Sequence, residues 1–237
     1  MISFSIPRRI ADRLSRLGLA CEDSGVLAHV SVRIGTTQVR FSATNGRVLA
    51  SLIVPIDDLQ APSSEGLILD QGQLTAAMKL ALKGTGNRIS FKVDSTEARV
   101  SVGTNASVVR RISGAYPNVD HVWNRTVGRQ WVPTTSSIDP HLVALAQKIT
   151  GLKTAVLFST PVDPDLHLDR VWASPGRDDH AETINIDALR SVVRSPAYWC
   201  DHELAILVMP ITRADTERQL DLSTHTMALQ QAAAQAA

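Results

Sequence analysis

Asp163, Asp165 and His167, with Asp169 behind them, lie in TPVDPDLHLDR so that carboxylates and an imidazole recur at every second position. Asp-x-Asp-x-His can gather oxygen and nitrogen ligands round a divalent cation, which would make the protein a metal-dependent enzyme. Pro161 and Pro164 fit a simpler reading, a turn leading into a strand. A different chemistry runs through the segments with helical spacing: Arg9, Arg13 and Arg16, then Lys79 and Lys83, then Lys148, then Arg190 and Arg194. Point cations of this kind can meet phosphates without reading bases, giving salt-dependent and sequence-independent attraction to nucleic acid. A solvated charged face explains any one of them equally well. On the first segment, however, Asp12 is the only acidic residue, where an ordinary exposed face mixes the signs.

The elements that must position these groups follow from periodicity and turn chemistry. Phe4 to Ile6 reads as a strand, and Pro7 opens a helix to about Leu19 that buries Ile10, Leu14 and Leu17. Arg9, Arg13 and Arg16 then form a column about 100° round the helix from that apolar stripe. Gly25 to Ile34 and Gln38 to Ala43 read as paired strands, and Asn45-Gly46 reverses the chain into a return strand, Leu49 to Ile56. Asp57 to Gly66 has the composition of a loop. After a short strand, a second helix from Asp70 or Gln71 buries Leu74, Ala77, Met78 and Ala81, and Gly84 to Asn87 ends it. Arg88 to Val93, Ala98 to Val102 and Ser107 to Ile112 complete the strands. Strand, helix, strands, then helix and strands again is an internal repeat.

Beyond a polar linker at Asn124 to Gln130, Trp131 to Ile138 reads as a strand and Asp139-Pro140 as the cap of a third helix to Leu152. Thr154 to Ser159 and Leu166 to Ala173 read as strands, and a fourth helix starts near Asp187. Leu204 to Ile211 is the last strand. Residues 214–237 form a tail, partly helical or disordered.

Composition sets further bounds. The 237 residues allow two modest domains. Residues 1–125 carry 15 Lys and Arg against 10 Asp and Glu, whereas 126–237 carry 9 against 13, so a nucleic-acid contact leans on the first half. No apolar run reaches membrane-spanning length and the N-terminus lacks a signal-peptide core, which points to a cytoplasmic protein. Cys21 and Cys200 have no metal-ligand spacing and read as reduced thiols. The sequence has no Gly-rich phosphate loop, nucleophile elbow or Cys/His zinc pattern, and no cofactor is expected.

Three stretches taken in order, ATNGRVLA at Ala43 to Ala50, GAYPNVDHVWNR at Gly114 to Arg125 and LAILVMPITR at Leu204 to Arg213, resemble the bacterial sliding clamp family, the beta subunit of DNA polymerase III. The resemblance implies an α+β chain of two clamp-like domains, 1–125 and 131–213, each with two helices packed on one face of curved antiparallel sheets. The first resembles the family's middle domain and the second a shortened C-terminal one, with about two strands missing before the last. The family's N-terminal domain has no counterpart in this sequence.

Function follows from the same resemblance. It implies no enzyme but a polymerase processivity factor, which tethers DNA polymerase to double-stranded DNA, and the eight cations at helical spacing are the candidates for that contact. A hydrophobic cleft would accept short apolar peptides of polymerase, clamp-loader or repair proteins. The matching cleft positions are Leu27, Thr44, Gly46, Arg47, Val48, Leu49, Pro117, Val122, Leu207, Met209 and Pro210. Arg47-Val48 departs from the His-Arg usual in this turn. Two domains per chain would need a homo-oligomer of three chains to close a six-domain ring. The alternative is a non-encircling protein that keeps the cleft and binds clamp-binding peptides without forming a ring.

Overall fold

The first lobe is built from one pattern used twice, and each copy lends its leading strand to the other. The computed structural model describes residues 2–60, 66–119, 130–133, 139–152, 159–162 and 197–208. Strand β1 (Ile2–Pro7) leads to helix α1 (Ala11–Leu17), followed by β2 (Val30–Ile34), β3 (Gln38–Thr44), β4 (Val48–Pro55) and a short β5 (Asp57–Gln60). The second copy is β6 (Gly66–Leu69), α2 (Gln71–Lys83), β7 (Arg88–Val93), β8 (Glu97–Val102) and β9 (Asn105–Arg110). Strand β1 pairs antiparallel with β7, while β6 pairs antiparallel with β2. Neither half can complete its sheet alone.

Strands β10 (Gln130–Pro133), β11 (Ser159–Val162), β12 (Ala197–Cys200) and β13 (Leu204–Val208), with helix α3 (Pro140–Thr150), form a second lobe. Its sheet does not stop at the lobe boundary. Strand β13 pairs antiparallel with β4, with Leu207 opposite Leu49, so one eight-stranded sheet runs β10-β11-β12-β13-β4-β3-β2-β6. The other sheet runs β5-β1-β7-β8-β9. Inward residues of both sheets and the helix stripes share one core. Phe4 and Phe91, register partners on β1 and β7, stack with centroids 4.9 Å apart, and Phe41 tilts against Phe91 at 6.0 Å. Ile10, Leu14 and Leu17 are buried, as are Leu74, Ala77, Met78 and Ala81.

Local chemistry sets several boundaries as expected. Asp70 caps α2 by accepting from the Gln73 amide at 3.0 Å, and Asp139 caps α3 by accepting from the His141 amide at 2.8 Å. At the β3–β4 turn, Gly46 has φ +78, and Asn45 Oδ1 accepts from the amides of Arg47 (3.0 Å) and Val48 (2.8 Å). Four expectations are corrected. The first helix is α-helical only over Ala11–Leu17, with 3-10 turns at Arg8–Ile10 and Gly18–Ala20. The stretch before β2 is no strand, because Gly25 takes φ +73 and opens a 3-10 turn at Val26–Ala28. Asp57–Gln60 is a strand despite its polar composition, since it forms an edge hydrogen-bonded to β1. A strand also stands where strands were expected to be missing, because Ala197–Cys200 pairs with β13. The expected strand at Leu166 to Ala173, the fourth helix and the tail lie outside the described residues.

Candidate functional site

Alternation along the strands decides what the outer face of the long sheet presents. On β4, Val48, Ala50, Leu52 and Val54 face the core, which leaves Leu49, Ser51 and Ile53 outward; on β13, Leu204, Ile206 and Val208 face in, which leaves Ala205 and Leu207 outward. Leu49 and Leu207 therefore meet on the far side of the sheet from the core. They form a separate apolar cluster, with Val119 and Ala205 packed at its margin. Leu207 is wholly buried and Leu49 only 6% exposed. The cluster straddles the junction between the lobes.

Val119 arrives on the corner segment 114–119, which follows β9 across this outer face. Gly114 takes φ +138, and the Val119 amide donates to the Pro117 carbonyl at 2.8 Å. Near the cluster, the Ser42 and Ser51 hydroxyls, opposite each other on β3 and β4, share a buried hydrogen bond of 2.7 Å. Burial also pushes the Tyr116 hydroxyl above its usual pKa, and the nearby Cys21 adds to the effect. The Cys21 thiol, pushed up to about 12 by burial, donates to the His29 carbonyl at 3.5 Å. Between corner and sheet lies a groove of about 240 Å³, lined by Ser31, Arg33, Arg40 and Ser42 on β2 and β3 and by residues 116–119 of the corner.

Of the expected cleft residues, the structure brings together Leu49 and Leu207, with Pro117 lining the adjoining groove. Thr44 lies opposite Leu49, and its Oγ1 accepts from the Gly46 amide at 3.1 Å; Gly46 and Arg47 are exposed at the turn. Arg47 comes within 4.0 Å of Asp139, the cap of α3. Val48 faces the core under the sheet, as the residue next to an outward Leu49 must. Leu27 is half-buried on the 3-10 turn before β2 and is not part of the Leu49–Leu207 cluster. Val122, Met209 and Pro210 lie outside the described residues. Sequence reasoning missed Val119, whose only signal is that it is the first apolar residue after the Pro117-Asn118 corner.

The cations divide sharply. Arg13 contacts Asp201 at 2.8 Å and Glu203 at 3.4 Å, on the turn between β12 and β13, and Arg9 pairs with Glu203 as well. Arg16 pairs with Asp12 at 3.0 Å and donates to the Lys148 carbonyl at 3.5 Å, tying α1 to α3. Lys79, Lys83 and Lys148 are exposed. Arg190 and Arg194 lie outside the described residues, as do Asp163, Asp165, His167 and Asp169. Among the described residues no three His, Cys, Asp or Glu side chains gather as a metal site.

Two helix-backed antiparallel sheets, an internally repeated lobe and a sheet shared across the lobe boundary define the DNA clamp fold. Solved structures of that fold match the chain over 89% of its length. They include a chain described as a DNA polymerase III beta subunit from Eubacterium rectale (TM-score 0.58, 10% identity). The DnaN sliding clamps of Bartonella birtlesii (0.56, 12%) and Pseudomonas aeruginosa (0.55, 14%), both bound to griselimycin, match similarly. The chain spans 65%, 66% and 65% of these three in turn. No family model and no curated protein matches the sequence.

Proposed function

We propose that the protein is a clamp-type tether, which takes short apolar peptides of DNA polymerase, clamp-loader or repair proteins at the Leu49–Leu207 cluster, in place of Val119, which packs against the two buried leucines. Through its helices it holds double-stranded DNA without reading sequence. The observation that carries the reading is the docking of β13 on β4, which sets two leucines from opposite ends of the chain side by side on an outer face. An aliphatic floor of this kind supplies area and little directional bonding, which suits several partners. Of the eight cations singled out in the sequence, Lys79, Lys83, Lys148 and, where its pairing with Asp12 opens, Arg16 are the described ones that remain for phosphates. No step of this function needs a catalytic residue or a cofactor. No described helix is long and apolar enough to cross a membrane.

The test joins two binding measurements. A labelled decapeptide with an apolar anchor should bind saturably, and Leu49→Asp should abolish that binding. Duplex DNA should bind with an affinity indifferent to sequence and falling with salt by about 0.9 in log–log slope per phosphate neutralised. Absence of peptide affinity refutes the tether. A second reading, the non-encircling peptide-binding protein, is favoured by the engagement of Arg9 and Arg13 with acidic partners, which lowers the charge of the helix face. The mass of the chain in solution separates the two, since a ring of six lobes requires a stable trimer and a monomer excludes it.

A further inference from the structure

Strand β9 ends the five-stranded sheet, and its outer edge has no neighbouring strand among the described residues. The internal repeat makes it the counterpart of β4, since each is the third strand after the helix of its copy, and β4 already takes a strand there, the antiparallel β13. Hairpin register shows which groups of β9 are open. The Gly103-Thr104 turn closes on Val102 opposite Asn105, so Asn105, Ser107 and Val109 bond to β8, while Ala106, Val108 and Arg110 aim their N–H and C=O groups outward. Arg110 bears out the direction: its amide donates to Gln73 Oε1 at 2.7 Å, and its carbonyl accepts from the Asp70 amide at 3.0 Å. Ala106 and Val108 have no such caps among the described residues, and both are exposed, Val108 to 48%. An open edge of this kind is a template for a further strand.

Charge narrows what that strand is. On the outer face of β7, β8 and β9, Arg88, Lys92, Arg99 and Arg110 stand against Glu97 alone. Arg88 is bonded to Ser5 and Arg110 to Asp70, but Lys92 and Arg99 are exposed and form no ion pair among the described residues. These two are direct cross-strand partners, and like charges so placed repel. Their row runs on to Val108, opposite Arg99, so an added strand puts one residue in line with both cations. On the other face of β9, Leu80 of α2, 36% exposed, lies beside Asn105 and Ser107. We infer that β9 accepts an extended segment of an acidic partner protein as an added antiparallel strand, with a carboxylate opposite Val108 and apolar neighbours turned toward Leu80. The carboxylate residue then lies two strand spacings, about 10 Å, from Arg99, and the short Val108 side chain leaves the guanidinium free to lean across. This edge belongs to the sheet that does not carry Leu49 and Leu207, so the inference is independent of the cleft reading.

Hydrogen exchange and peptide titration of the full chain test it together. In the free chain the Ala106 and Val108 amides should exchange fast, while those of Ser107 and Val109, bonded to β8, exchange slowly. Fluorescein-labelled Ser-Thr-Val-Glu-Val-Thr-Ser should bind saturably by anisotropy and slow both open amides. N-methylation of its Glu amide, which faces β9, should weaken binding by about tenfold, whereas methylation of the following Val amide, which faces solvent, should leave it nearly unchanged. A twin with Gln in place of Glu should bind about threefold more weakly at low salt, the size of a solvent-exposed ion pair. The double variant Lys92→Gln/Arg99→Gln should bind both twins with the affinity the wild type shows for the Gln peptide, and that unchanged affinity shows that the variant is folded. Absence of binding, or equal binding of the Glu-methylated peptide, overturns strand addition. Equal affinity of the twins for the wild type, or loss of duplex-DNA binding by the double variant, overturns the acidic partner. Ala106 and Val108 amides already slow in the free chain mean that a second copy fills the edge, which overturns the proposal as well. The cleft reading survives each of these results.

Discussion

Replacing Arg13 by Met tests whether that residue serves the lobe junction or a phosphate backbone. Its Nη1 is 2.8 Å from Asp201 Oδ2, and the two side chains are 29% and 26% exposed. A unit ion pair at about 3 Å attracts by about 5 kcal/mol at an effective dielectric of about 20. Removing both charges from most of their water returns the larger part of that. What remains should exceed the ~0.5 kcal/mol of a fully exposed pair, and a net coupling of about 1.5 kcal/mol is expected. Asp201→Asn is the suitable second variant, because an amide oxygen can still accept the Glu203 and Leu204 amides that Oδ1 accepts at 2.8 Å each. Urea unfolding of wild type, both single variants and the double variant closes a cycle that isolates the pair. Additivity within about 0.4 kcal/mol refutes the junction role. Salt titration of DNA binding gives an independent reading: Lys79→Ala should reduce the log–log slope by about 0.9 while Arg13→Met leaves it unchanged. A reduced slope for Arg13→Met means that the pair opens on DNA and the arginine contacts phosphate.

Three other outcomes follow from local geometry. Cys21 has its thiol pushed up to about 12 and Cys200 is exposed, so a disulfide reagent at pH 8 should modify one thiol per chain quickly. Cys200→Ser should remove that fast phase, and two fast thiols in the native protein contradict the burial of Cys21. Asp94, whose carboxylate accepts from the Thr96 and Glu97 amides at 2.8 and 2.9 Å, is held below the usual carboxylate pKa of 3.8 by those bonds. A depressed folded pKa gives stability that is present above the unfolded value and lost as pH falls through the folded one. The stability gap between wild type and Asp94→Asn should therefore be constant at neutral pH and begin to narrow as pH falls below about 4, and a gap that shows no narrowing on acidification argues against the bonds. Gly46→Ala should cost about 1–2 kcal/mol in thermal unfolding. No atom lies within 4 Å of the new Cβ, so only the left-handed backbone at φ +78 is penalised, and an unchanged Tm refutes the turn assignment.

What could be read from the sequence was what neighbouring residues decide among themselves. Asn45-Gly46 names its turn, Asp70 and Asp139 name their helix starts, and the spacing of Leu74, Ala77, Met78 and Ala81 names a buried stripe. Pairings over long distances carry no such signal. Nothing in ISFSIP says that it will lie beside β7 rather than beside β2, and nothing in Arg13 points to an aspartate 188 residues on. The same limit explains half of the cleft. Leu49 and Leu207 were placed together only through a likeness of motifs, while Val119 depends on how the corner crosses the sheet.

The junction and the proposed DNA face draw on the same helix. Leu49 and Leu207 touch only while β13 stays paired with β4, and several contacts hold that pairing beyond its own ladder. The Ile53 amide donates to the Glu203 carbonyl at 2.7 Å, Arg9 and Arg13 grip Glu203 and Asp201, Arg47 reaches Asp139, and Arg16 reaches the Lys148 carbonyl. Three of those side chains form the basic column of α1 and the 3-10 turn that precedes it. An arginine committed to the β12–β13 turn keeps the cleft assembled and at the same time offers less charge to a phosphate. The column read from the sequence as one nucleic-acid surface is therefore divided in the fold: Arg9 and Arg13 stabilise the apolar floor from behind. In the proposed tether, phosphate attraction is assigned to Lys79 and Lys83 on α2 and to Lys148 at the end of α3, whose exposed side chains have no such structural duty among the described contacts. On this division, neutralising Arg13 weakens peptide binding more than DNA binding, and neutralising Lys79 does the reverse.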